Sequence, residues 1–115
     1  NTSIVLISHN LGVVAELCDR IAVFYAGRVV ETGASDAVFA APLHPYTRAL
    51  IGSLPTPGKR QRRLTPVPGA PPTLTGTSSG CAFAPRCPLR MDRCSRDDPR
   101  LEPQDPEHEV ACWAA

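Results

Sequence analysis

Ile4-Val5-Leu6-Ile7, set between Ser3 and Ser8, is a continuous apolar run rich in β-branched side chains. Such a run predicts a strand covered on both faces, as in a parallel α/β sheet. Ser8-His9-Asn10 interrupts it and suits a strand-to-helix turn. Leu11, Val14, Ala15 and Cys18 then recur at helical spacing, predicting a helix with one apolar face. Asn10 is positioned to cap that helix, and Cys18 on its apolar face reads as a structural thiol. Arg20–Tyr25 predicts a second strand, Ala26-Gly27-Arg28 a tight connection, and Val29–Thr32 the returning strand, ended by Gly33. Ser35-Asp36 offers a cap for a short helix over Ala37–Ala41. After Pro42-Leu43-His44-Pro45, one more helix is expected over Tyr46–Ser53, with Tyr46, Ala49 and Leu50 on one face.

Proline use then changes the picture. All 13 prolines of the 115 residues lie at or after Pro42. This divides the chain into a regular part, 1–54, a Pro-rich linker, 55–80, and a small irregular unit, 81–115, holding Cys81, Cys87, Cys94 and Cys112. The length allows one modest core. A net charge of +1 provides no strong field to attract nucleic acid. The run Lys59-Arg60-Gln61-Arg62-Arg63 has no interleaved aromatic residue for base stacking and reads as a solvated linker cluster, so no nucleic-acid partner is expected. Pro66–Pro72 is expected to be extended, tending to polyproline II. No apolar run approaches the roughly 18 residues of a membrane span. The abrupt start in a strand pattern leads us to expect a piece of a longer chain.

Residues Ile4–Val14 followed by Cys18–Gly33 resemble ABC-transporter ATP-binding subunits, in the stretch from the switch-histidine strand to the hairpin beyond it. His44-Pro45-Tyr46-Thr47-Arg48-Ala49-Leu50 is similar to the element that marks the oligopeptide/dipeptide branch. Asn10 stands where many relatives have Asp. The resemblance implies an α/β fold: the C-terminal part of a P-loop ABC ATPase domain, built as strand, helix, hairpin and short helices. The Pro-rich linker and the small irregular four-cysteine unit would follow it. It implies ATP and magnesium as cofactors of the parent protein. Its partners would be a second ATPase subunit, transmembrane permease subunits and, indirectly, a peptide-binding protein. The location implied is peripheral, on the cytoplasmic face of the cell membrane. The G-x-x-x-x-G-K-[ST] loop is absent from these residues. In the family it lies upstream, so these residues alone are expected to be inactive.

On spacing alone, His9 is a lone histidine at a strand end. The resemblance assigns it a catalytic role in contact with the γ-phosphate of ATP. That suits phosphoryl transfer, which depends mainly on positioning and charge stabilisation. The cysteines follow C-x5-C-x6-C-x17-C. Structural zinc sites usually pair ligands more closely, whereas a four-iron cluster suits wider gaps. Spacing leaves a cluster, zinc, and disulfides or free thiols open. The resemblance favours a [4Fe-4S] cluster on Cys81, Cys87, Cys94 and Cys112, with Arg86, Arg90, Arg93 and Arg96 offsetting its charge. His44 reads as structural, and His108 as a group outside the ligand set or on the surface. The rival reading is a small metal-binding interaction module built on the four cysteines and the basic run 59–63, with nucleic acid as its candidate partner.

Overall fold

The computed structural model describes residues 1–55, 58, 66–72 and 79–115. Helix α1 spans Leu11–Leu17, and the hairpin strands β1 and β2 span Arg20–Tyr25 and Arg28–Ala34. Helices α2 and α3 span Ser35–Ala40 and Pro45–Gly52. Two 3-10 turns, Ala84–Arg86 and Asp92–Ser95, lead to strands β3 (Glu102–Asp105) and β4 (His108–Val110). The strands form one antiparallel sheet in the order β1-β2-β4-β3.

Helix α1 begins where expected, because the Asn10 side chain accepts a hydrogen bond from the Val13 amide. The β1–β2 turn places Ala26 and Gly27 consecutively at positive φ, 50° and 78°. That geometry matches the right-handed twist of the two strands. Between Val23 and Phe24 the pairing shifts from Glu31 to Val29, which leaves Val30 as the extra residue of a bulge. Val30 and Glu31 are consecutive yet both buried. Helix α3 carries Pro45 in its first turn, where the missing N–H is harmless, and the His44 side chain caps it.

The core gathers Tyr25 and Val30 from the hairpin and Phe83 from the cysteine segment, with Tyr46 of α3, Val67, Cys81 and Cys87 packed around them. The rings of Tyr25, Tyr46 and Phe83 meet at centroid separations of 4.7 to 5.5 Å. Strand β4 pairs with β2 through Glu31↔Val110, Thr32↔Glu109 and Gly33↔His108. Residues 81–115 therefore share both sheet and core with residues 1–54.

The strand expected over 3–8 does not form: residues 1–10 belong to no sheet, and Ile4, Val5 and Ile7 are 84%, 89% and 94% exposed. A strand of that kind needs hydrogen-bonded neighbours and apolar cover on both faces. The described residues supply neither. Gly33 does not end β2, which runs on to Ala34. The hairpin β3–β4, which the sequence pattern did not predict, replaces part of the irregular unit. The linker expected over 55–80 lies largely outside the described residues, as does the basic run 59–63; its described stretch 66–72 has no helix or strand. No helix among the described residues is long and apolar enough to cross a membrane. The expected membrane association thus finds no spanning element here.

Gly33 allows the C-terminal hairpin to approach. A Cβ at that position would lie 2.8 Å from the Glu107 carbonyl oxygen, a backbone atom with little freedom to retreat. Gly33→Ala is expected to push β4 off β2 and lower stability by about 1–3 kcal/mol. Thermal unfolding checks this, and an unchanged midpoint would contradict the role given to Gly33.

Candidate functional site

His9 sits on the exposed segment immediately before α1. The Asn10 amide donates to Ser8 Oγ at 3.0 Å, and Asn10 Oδ1 accepts from the Val13 amide at 3.3 Å. These bonds fix the backbone on either side of His9. No hydrogen bond to its imidazole occurs among the described residues, and the residue is exposed.

All five cysteines are free thiols. Cys81 and Cys94 lie side by side along the backbone. The 3-10 turns and Gly80 bring them there. The Cys81 amide donates to the Cys94 carbonyl at 2.8 Å, and Gly80, at φ 89°, leaves room for that contact.

The structure nevertheless corrects the expectation of a [4Fe-4S] cluster on Cys81, Cys87, Cys94 and Cys112. Among the described residues, no three or more His, Cys, Asp or Glu side chains are arranged to hold a metal ion. Burial pushes the Cys81 and Cys87 thiols up from their ordinary pKa. Cys81 and Cys87 pack against the Tyr25–Val30–Phe83 core.

Three of the four arginines expected to serve such a cluster have partners elsewhere. Arg86 donates from Nε to the Pro68 carbonyl at 2.7 Å and from its terminal nitrogens to the Val67 carbonyl and the Tyr25 hydroxyl. It straps residues 67–68 across the aromatic core. Arg90 reaches Ser95 Oγ. Arg93 pairs with Asp97 and lies 3.5 Å from the Trp113 ring centroid, while the Trp113 indole donates to the Asp97 carbonyl. Arg28 bridges the β1–β2 turn to Asp98.

The most deeply buried polar centre is Glu31, which the sequence pattern did not single out. It is 0% exposed. Its Oε1 accepts from the Leu43 amide at 2.8 Å and from His108 Nε2 at 2.6 Å, and its Oε2 accepts from the His44 amide at 2.9 Å. His108 is thus buried and paired with a carboxylate, not a surface group beside the cysteines. His44 is structural, as expected: its Nδ1 accepts from the Tyr46 amide at 3.0 Å and caps α3. Its pKa is lowered to about 4, chiefly by burial and further by the Arg48 charge, against an opposing pull from Glu31. Neutral His44 is the form that can accept that bond. The sequence signal that could have found Glu31 was a carboxylate within an apolar strand together with two histidines lacking other assignments.

Residues 30–94 match the family model for the oligopeptide/dipeptide transporter, C-terminal region. The chain belongs to this family. It is 45% identical over 113 residues to the dipeptide transport ATP-binding protein DppD of Bacillus subtilis (strain 168), covering 98% of this chain and 34% of that protein. It is 46% identical over 101 residues to DppD of Escherichia coli (strain K12), covering 88% of this chain and 31% of that protein. With the oligopeptide transport ATP-binding protein OppD of Mycobacterium tuberculosis (strain ATCC 25618 / H37Rv), identity is 47% over 110 residues, 95% of this chain and 18% of that protein. The chain therefore spans about a third, or less, of the length of these curated relatives. An α/β fold consistent with the C-terminal part of an ABC ATPase domain accords with this assignment. The oligopeptide/dipeptide transporter region takes in Glu31, His44, Cys81, Cys87 and Cys94, while His9, His108 and Cys112 fall outside the matched residues.

Proposed function

We propose that this chain is part of the ATP-hydrolysing subunit of an ABC importer for peptides. The observation that carries the reading is the alignment of 98% of the chain, at 45% identity, with a dipeptide transport ATP-binding protein. Residues 1–54 would be the C-terminal part of the ATPase domain, 55–80 the connecting linker, and 81–115 a C-terminal extension folded back on it. The strap from Arg86 to the carbonyls of Val67 and Pro68 supports a linker that lies over the core. Partners would be a second ATPase subunit, the permease subunits and, through them, a peptide-binding protein. The subunit would act peripherally, at the cytoplasmic face of the membrane.

His9 is the residue of this chain that we assign to catalysis. ATP with magnesium, when bound, supplies the phosphoryl group to be transferred. His9 would donate a hydrogen bond from its imidazole to a γ-phosphoryl oxygen and help position the attacking water. Its exposure and the capped helix start beside it fit that task. Such a contact matters most as charge redistributes in the transition state. In the full-length subunit, His9→Ala is expected to lower ATP turnover by about a hundredfold or more while nucleotide affinity changes little. Steady-state hydrolysis and nucleotide titration measure the two. Near-normal hydrolysis would rule the role out.

A further inference from the structure

We propose that Glu31 is a latch through which α3 and the C-terminal hairpin β3–β4 dock on the sheet as a single unit. The carboxylate lies on β2, at the register position facing Val110 of β4. One of its oxygens serves two separate elements: Oε1 takes both the Leu43 amide, which leads into α3, and His108 Nε2, from β4. The other, Oε2, takes the His44 amide at the α3 cap. Leu43 is half-buried, and Glu31, His44 and His108 are fully buried. Water is not at hand to replace a lost partner.

Few other bonds fasten the hairpin. Strand β4 is three residues long, and beyond its ladder with β2 the Ala111 amide donates to the Val30 carbonyl and the Ala34 amide to the Glu107 carbonyl. Strand β3 is an exposed edge with Pro103 inside it. If His108 withdraws, Oε1 keeps only the Leu43 amide, and a buried carboxylate has lost its one side-chain partner. A buried acceptor short of a donor is costly, and the donor left on Oε1 is the Leu43 amide at the α3 entry. Opening of the hairpin therefore loosens the start of α3, and by reciprocity opening at α3 loosens the hairpin. The His44–Leu50 element and the C-terminal extension are coupled through one side chain, with Glu31 and His108 lying 77 positions apart.

Hydrogen–deuterium exchange on the full chain tests this with two substitutions at one site. His108→Leu removes the donor. His108→Gln keeps an N–H at about the place of Nε2. His108→Leu is expected to speed exchange about tenfold or more both in 102–111 and at the Leu43 and His44 amides. His108→Gln is expected to leave the Leu43 and His44 amides within about threefold of the unsubstituted chain. Acceleration confined to 102–111 in His108→Leu would overturn the latch. Equal acceleration at Leu43 and His44 by both substitutions would also overturn it, since it would show a packing effect independent of the hydrogen bond.

Discussion

Glu31→Ala is expected to cost about 3–5 kcal/mol, the loss of one buried acceptor group that several donors share. Three donors lose their acceptor together: the amides of Leu43 and His44 and Nε2 of His108. An unsatisfied buried donor costs about 1–3 kcal/mol, and partial relaxation keeps the total below the plain sum. Domains of this size have only about 5–15 kcal/mol of net stability. The substitution therefore threatens folding itself. Glu31→Gln keeps the volume but turns an amide N–H toward donors, so an intermediate loss is expected. Urea denaturation followed by the fluorescence of Trp113, the one tryptophan of the chain, measures both. A loss under about 1 kcal/mol for Glu31→Ala would show that Glu31 does not hold these elements in place.

The parts of the fold that were legible in the sequence are those whose stability is local. The β1–β2 hairpin follows from the apolar run Ile21–Tyr25, the returning Val29-Val30 and Gly27, which accepts the positive φ that the turn demands. Helix α1 follows from the spacing of Leu11 and Val14 and the cap at Asn10; α3 follows from Pro45 and Tyr46–Leu50. Strand β3 was not legible because all four of its residues are exposed, so neither face needs an apolar side chain. Strand β4 is too short to show a period. The apolar run 4–7 misled for the opposite reason: composition announces a wish for burial, but only neighbouring strands and helices can grant it.

The candidate site divides the same way. Cys81, Cys87, Cys94 and Cys112 stood out in the sequence by their spacing in one Pro-rich segment. Whether they would form a metal centre depended on side-chain directions and burial, which spacing does not encode. The arginines among them illustrate the point: Arg86 turns to Tyr25 and to two backbone carbonyls, and Arg93 to Trp113 and Asp97. Glu31 was hidden by its local context. Val29-Val30-Glu31-Thr32 reads as a half-exposed strand in which a glutamate simply faces water. The bulge at Val30 and the return of β4 from 77 residues away bury it instead.

Acid is expected to weaken the fold through His44 before most carboxylates titrate. In the folded chain its pKa is lowered to about 4 from an ordinary 6.5, so the folded state holds it neutral. Above pH 6.5 neither state binds the proton, and the His44 contribution is complete. Between 6.5 and about 4 the unfolded chain takes up a proton that the folded chain refuses, so stability falls as pH falls. The loss across that window is about 3 kcal/mol. Structurally, a proton on Nδ1 would abolish the acceptor that caps α3 at the Tyr46 amide and place a charge in a site almost closed to water. His44→Asn separates this effect from general acid denaturation. Asparagine is a good N-cap whose oxygen can replace Nδ1, and it does not titrate. Urea midpoints measured from pH 7 to pH 4 are expected to fall steeply in the unsubstituted chain and much less in His44→Asn. Parallel curves for the two would exclude His44 as the acid-sensitive group.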